Sequence, residues 1–291
     1  MTAVSAPGPA PVRPAAPKAR KTSNVGTYAF LVGGLVLMVG PFLWMLLGSI
    51  KPEADFLRNP PTLLPSAPTA DNYGRLFDQL DFPRFFFNSA VIALAVTVGT
   101  LVFCPMLGYA LAKLRWRGKR VVMGLVLATL MVPAGITLIP NFILMSDLGL
   151  VNSYPGLILP FLAGPFGVFL LRQFMLGIPD ELLEAARMDG ANEFRIFWSV
   201  VMPIATPILA TLGILTFLGS WNNFLYPLVM ATEPQMYTLP VALATFATGQ
   251  YQADHGMLMA GSVILVVPVL IIFVLFQRWI TEGIATTGLK G

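Results

Sequence analysis

More than half of the acidic residues in the second half of the chain fall in one short stretch. Between Ile178 and Pro207 stand Asp180, Glu181, Glu184, Asp189 and Glu193, with Arg187 and Arg195 among them. Clustered carboxylates suit acid–base catalysis only when a nucleophile, a base or a metal stands beside them. Here the single histidine is His255 and the single cysteine is Cys104, so no multi-histidine or thiolate metal site and no internal disulfide can form. A phosphate-binding Gly-x-x-x-x-Gly-Lys-Ser/Thr loop is also missing. These residue types at this spacing describe a compact helix–glycine turn–helix between two apolar runs instead. Pro179 suits a first helical position, and Asp180 and Glu181 suit the positive end of a helix dipole. Leu182, Leu183, Ala185 and Ala186 make an apolar face, with Glu184 and Arg187 on the surface. Gly190 reads as a left-handed stop, and Asn192 as the cap of a second helix with Phe194, Phe197, Trp198 and Val201 on its apolar face. Pro203 and Pro207 close the stretch.

A second group of polar residues lies inside long apolar runs: Asn88, Thr137, Asn141, Ser220, Asn222 and Asn223, with Trp221 and Tyr226 nearby. Amides and hydroxyls bond helix to helix in any membrane bundle. They also suit a path for a neutral, hydroxyl-rich solute, for which Asn88, Asn141, Trp221, Asn222 and Asn223 are the candidates. Consecutive residues cannot share one helix face, so one or two of the last three would line such a path.

The elements that position both groups follow from composition. The chain has 291 residues, 56% hydrophobic and 11% charged, against about 25% charged in a soluble domain. This predicts an all-α integral membrane protein. Apolar runs cover about 25–50, 85–112, 121–145, 156–175, 204–230 and 256–277. Each is near the ~20 residues that cross the hydrocarbon, so six transmembrane helices are expected. Residues 1–24 are rich in Ala and Pro and read as a disordered tail. The run that follows is too long for a signal peptide, so it reads as a retained first span. Lys51–Arg84 and Ala231–His255 read as loops. Lys and Arg gather in the tail, in the turn Lys113–Arg120, around Ile178–Pro207 and at the C-terminus. The opposite side holds only Lys51, Arg58, Arg75 and Arg84. That asymmetry predicts that both termini, and Ile178–Pro207, are cytoplasmic. Between their basic ends the spans hold no Asp, Glu, Lys or Arg, the usual marks of proton relays and ion-coupled carriers. Energy for uphill transport would then enter from outside the bilayer.

Glu184-Ala185-Ala186, Gly190, Val200 and Met202-Pro203 resemble the cytoplasmic signature of bacterial ABC importer permeases, with Val for Ile and Met for Leu. Asp189, Ala191, Phe197, Pro203 and Pro207 match the fuller form of sugar importers. Ser49–Asp55, Pro60–Ser66, Asp71-Asn72-Tyr73, Trp221–Leu228, Tyr237–Val241 and Met259–Ser262 resemble the six-span subunit of the maltose-type carbohydrate class. The resemblance implies a type I ABC importer permease fold in the bacterial inner membrane, over 25–291. It also implies a second permease subunit forming a heterodimer, two ATP-binding cassette subunits and an extracytoplasmic sugar-binding protein. No cofactor belongs to this chain; ATP and Mg sit on the partner ATPase.

In that family the helix at the signature, here within 178–203, couples to the ATPase. Glu184, Ala185, Ala186, Met188, Asp189 and Gly190 carry that role by position. Two alanines leave a flat face for close approach, and two carboxylates are offered to basic groups on the partner. Thr245, Phe246, Gln250 and Tyr251, in the last outer loop, are the implied contacts with the binding protein. Alternatives are a permease for another solute such as glycerol phosphate, or a secondary carrier or channel.

Overall fold

A computed structural model describes residues 25–60, 62–133, 135–248 and 254–288, with side chains through Gln277. The tail expected over 1–24 lies outside the described residues. The chain divides into two units, 1–43 and 44–291. In the first, helix α1 (Val25–Ser49) begins, with Phe30, Leu37 and Met38 all largely exposed, as a lipid-facing surface requires. Everything below concerns the second unit.

Among the described residues all regular structure is helical. Four helical stretches are long and apolar enough to cross a membrane: Val25–Ser49, Phe82–Ala112, Tyr154–Leu176 and His255–Gln277. A fifth arises if the bent pair Glu193–Ile204 and Thr206–Trp221, at 79°, is taken together. The stretch expected as one span over 121–145 is two short helices, α5 (Lys119–Leu130) and α6 (Leu138–Asp147). Pro133 lies in the break, where its ring and missing N–H oppose a continuous helix.

The segment 51–84, expected as a polar loop, is a folded cap. It contains α2 (Glu53–Phe56), α3 (Asp71–Gln79) and the start of α4 (Phe82–Ala112). Three of its polar residues, Lys51, Asp55 and Asn72, are buried and paired. Asn72 donates to the carbonyls of Ser49 and Lys51, each at 2.9 Å, and accepts from Arg75 at 2.6 Å. Asp55 accepts from the N–H and hydroxyl of Ser66, which hold its carboxyl below the usual range. Lys51 donates to Thr62 O and lies over the Trp44 ring at 4.6 Å. Buried polar groups must find such partners.

Between these helices and the last come α7 (Tyr154–Ile158), α8 (Pro165–Leu176), α9 (Asp180–Met188), α10 (Glu193–Ile196), α11 (Met202–Ile204), α12 (Thr206–Trp221), α13 (Leu225–Met230), α14 (Leu239–Thr248) and α15 (His255–Gly288). Helix α14 replaces part of the expected outer loop, with Leu239, Val241, Ala242, Leu243 and Phe246 buried. The carboxylate of Glu53 accepts from the amides of His255 and Gly256, and Asp254 from Met257, so acids satisfy the orphan donors that open α15.

Helix α4 is the central post and packs along α8 and α12. Gly108 and Gly167 allow its close approach to α8: a Cβ on Gly108 would lie 3.1 Å from Leu171, and one on Gly167 2.9 Å from Cys104. One core joins α4, α8, α9, the stretch 196–201 and α12. A second joins α3, α4, α12, α14 and α15.

Gly256 seals the cap. A Cβ there would meet the Asn72 amide at 2.6–2.8 Å, and that amide is already fixed on two carbonyls. Gly256→Ala is therefore expected to cost about 1–3 kcal/mol as overpacking. A lowered thermal midpoint of the purified protein would report it.

Candidate functional site

Pro179, with ψ of 135°, precedes α9 rather than opening it. The start of α9 is instead fixed by Lys113, from the C-terminal end of α4. Its ammonium donates to Ile178 O and to the Asp180 carboxylate, each at 2.6 Å. The Lys113 side chain is 7% exposed. Leu183 is buried against the core of α4 and α8, whereas Leu182, Ala185 and Met188 are exposed, Met188 to 89%.

Gly190 has φ of +80°, the left-handed conformation that costs a glycine least. Its N–H donates to Arg187 O and that of Ala191 to Ala186 O, both at 3.0 Å. That pair of bonds is the Schellman closure of a helix end. Asn192 then caps α10, its side-chain oxygen accepting from Arg195 N at 2.9 Å. The face of the second helix differs from expectation. Ile196, Phe197 and Val201 are buried, while Phe194 and Trp198 are exposed. Residues Phe197–Val201 form a π-helical turn ahead of Pro203, which rotates this face relative to regular α-helical spacing.

Glu193 joins three elements. One carboxylate oxygen accepts from Arg187 of α9 at 2.8 Å, and the other from the Tyr109 hydroxyl of α4 at 2.6 Å. The Tyr109 ring also packs on Phe197 at 5.5 Å. Both helices of the segment are thus tied to α4. Lys113, Asp180, Glu184, Arg187 and Glu193 line one open cleft of 750 Å³ with Arg115 and Trp116.

Hydrogen bonding and charge from Lys113 hold the Asp180 carboxyl below the usual range, and bonds from Arg187 and then Tyr109 do so for Glu193. A depressed carboxyl stabilises the fold above its unfolded pKa of about 4 and loses that contribution as pH falls through the depressed value. Amide protection across α9 and α10, corrected for intrinsic exchange, is expected to stay level from about pH 8 to 5 and to fall only in stronger acid.

The candidates for a solute path part company. Asn88 is fully buried: its amide donates to Gln235 O and Tyr237 O, both at 2.9 Å, and its oxygen accepts from Tyr154 at 2.6 Å. Trp221 is 2% exposed, stacks on Phe217 and donates to Leu265 O at 3.0 Å. Both tie their helices to backbone carbonyls of neighbouring elements. Asn141 is half-buried on α6, and Asn222 is exposed, with its amide on Leu218 O. Asn223 is half-buried and, with Thr100, Thr216 and Ser220, lines a 260 Å³ cavity whose walls include Phe161 and Phe166.

Thr216 and Ser220 stand one turn apart on α12 and Asn223 lies just past its end, and no acceptor or donor in the described chain meets their side chains. Thr97, Thr129, Thr211 and Ser262, by contrast, return their hydroxyls to the carbonyl one turn back. Thr245 does the same from α14, where it is half-buried, and Phe246 packs in the core. Gln250 and Tyr251 lie outside the described residues.

Residues 105–286, from the last two turns of α4 through most of α15, match the family model described as "Binding-protein-dependent transport system inner membrane component". The chain belongs to this family. It is a multi-pass inner-membrane permease, a transport component and not a catalytic one. The permease is 41% identical over 278 residues to the arabinooligosaccharide transport permease AraQ of Halalkalibacterium halodurans, covering 94% of this chain and 99% of that one. It is 34% identical over 276 residues to the trehalose transport permease SugB of Mycobacterium tuberculosis, with the same coverage. Its fold matches a chain of a bacterial ABC transporter that imports alginate, at TM-score 0.78 and 28% identity, over 90% of this chain and 98% of that one.

Sequence reading of the permease missed Lys113, Tyr109 and Glu193 as a set. Lys113 read as a topology marker and Tyr109 as one more apolar-run residue. The only signal was one of position, since a lysine ending a span can satisfy helix-end carbonyls.

Proposed function

We propose that this permease is the six-span subunit of an ATP-driven, binding-protein-dependent carbohydrate importer of the type I ABC class. Six crossings follow if α5 and α6 form one interrupted crossing and α12, from which α10 and α11 bend away by 79°, forms another. Both termini then lie in the cytoplasm, in line with the positions of Lys and Arg. Its partners are a second, different permease subunit, two ATP-binding cassette subunits that carry ATP and magnesium, and an extracytoplasmic binding protein. The sugars named for AraQ, SugB and the alginate importer support carbohydrate as the substrate class.

The observation that carries the reading is the two-sided build of Ile178–Pro207. One side is fastened to α4 through Lys113 and Tyr109, and the other leaves Leu182, Ala185 and Met188 exposed. An element fixed to a transmembrane helix, with a bare face of small and apolar residues, is suited to receiving a push. Glu184, Ala185, Ala186, Met188, Asp189 and Gly190 form the part that docks into the ATPase. Within the membrane, the face of Thr216, Ser220 and Asn223 lines the sugar path. Hydroxyls and an amide bond sugar hydroxyls, and Phe161 and Phe166 offer flat apolar walls. Contact with the binding protein falls to the segment around Gln250 and Tyr251.

Vesicle uptake tests this directly. Uptake by the reconstituted complex should require both ATP and the binding protein and be indifferent to ionophores. Uptake driven by an ion gradient without ATP would mark a secondary carrier instead.

A further inference from the structure

The turn between α4 and α5, with the first two residues of α5, carries Lys113, Arg115, Arg117, Lys119 and Arg120 and no acid. The two lysines are spent inside the protein. Lys113 holds Ile178 O and Asp180, and Lys119 donates to Ala112 O and Leu114 O at 3.0 and 3.2 Å, closing the carbonyl end of α4. The three arginines are exposed, and no acceptor in the described chain meets their guanidinium groups. The turn that carries them is preshaped. Gly118 has φ of +92°, with the Trp116 ring 3.4 Å from where a Cβ would stand. The Trp116 indole folds back to donate to Ala110 O at 3.1 Å, so its half-exposed ring lies against the last turn of an apolar helix. That is the depth at which lipid headgroups begin and where tryptophan accumulates.

We propose that this turn is a binding site for the phosphate headgroup of an anionic phospholipid, with Arg115, Arg117 and Arg120 as its ligands and Trp116 as its acyl-side wall. Guanidinium forks match phosphate oxygens in pairs, which ammonium groups do not. Topology alone needs only positive charge, and the lysines would serve it. The cleft beside Arg115 holds three carboxylates: Asp180 and Glu193 are engaged by Lys113, Arg187 and Tyr109, and Glu184 makes no ion pair with Arg115. Lys113 belongs to the same turn, so a bound lipid stiffens the fastening of α9. The inference rests on α4 crossing the membrane, part of the reading above, but not on what is transported.

The test uses the assembled transporter in nanodiscs and the emission lost in Trp116→Phe. Brominated phosphatidylglycerol should quench that emission several-fold more than brominated phosphatidylcholine, at about fivefold in affinity for each arginine. Arg115→Gln, Arg117→Gln and Arg120→Gln together should erase the preference, and millimolar inorganic phosphate should not. Equal quenching by both lipids in the unaltered protein overturns the site without recourse to any arginine variant. A preference that survives the triple substitution, or that free phosphate abolishes, overturns it equally.

Discussion

Gly190→Pro should give a permease that inserts and assembles at normal levels but does not transport. Residue 190 sits at φ of +80°, and proline is confined near −65°. The substitution also deletes the N–H that donates to Arg187 O. The Schellman closure cannot form, so α9 and α10 lose the angle between them. Neither helix contributes to the core that joins α3, α4, α12, α14 and α15, so that core keeps its packing. Gly190→Ala supplies the graded control. A Cβ at this site meets nothing within 4 Å, so its cost is the left-handed backbone alone, about 1–2 kcal/mol. Transport should therefore be reduced by the alanine and abolished by the proline. Uptake rates normalised to membrane-inserted protein check this, and wild-type uptake by the proline variant would refute the role of the turn.

Glu193→Ala should cut transport by about tenfold while ATP hydrolysis by the complex continues, and so uncouple the two. The substitution removes both acceptors that join α9, α10 and α4, leaving the Tyr109 hydroxyl and the Arg187 guanidinium without partners. A hydrogen bond to a charged group is worth about 1.5–3 kcal/mol where solvent is excluded. The Arg187 bond lies in the open and adds little. Most of the loss therefore arises at Tyr109, and Tyr109→Phe should reproduce much of it. The ratio of sugar moved to ATP consumed is the readout. An unchanged ratio would mean that the tie to α4 transmits nothing.

The helix–turn–helix was legible because its signals are local. Gly190 takes a positive φ, Asn192 caps, and Glu184 and Arg187 are exposed, each for reasons contained within four residues of chain. What failed needed knowledge of neighbours. Phe194 and Trp198 looked buried under regular α-helical spacing, but the π turn at Phe197–Val201 shifts the face toward Ile196. Asn88 and Trp221 looked like a solute path because polarity inside a membrane is costly. In the fold they satisfy carbonyls at Gln235, Tyr237 and Leu265, which a linear reading cannot place beside them. Segment 51–84 looked solvated because its buried Lys51, Asp55 and Asn72 are polar, and only their partners reveal a folded cap. The one-turn spacing of Thr216 and Ser220 was present in the sequence, but the cavity they share with Asn223 and their lack of partners were not.

The central claim is that Ile178–Pro207 is the surface the ATPase grips, and the most direct measurement is a site-specific crosslink. Met188 is 89% exposed on this segment, and Leu57 is 74% exposed in the cap at the other end of α4. With Cys104 replaced by serine, Met188→Cys should crosslink to the ATPase subunit in a yield that changes with bound nucleotide, and Leu57→Cys should not. An ATPase crosslink from Leu57→Cys, or none from Met188→Cys in an assembled, transporting complex, would contradict the account.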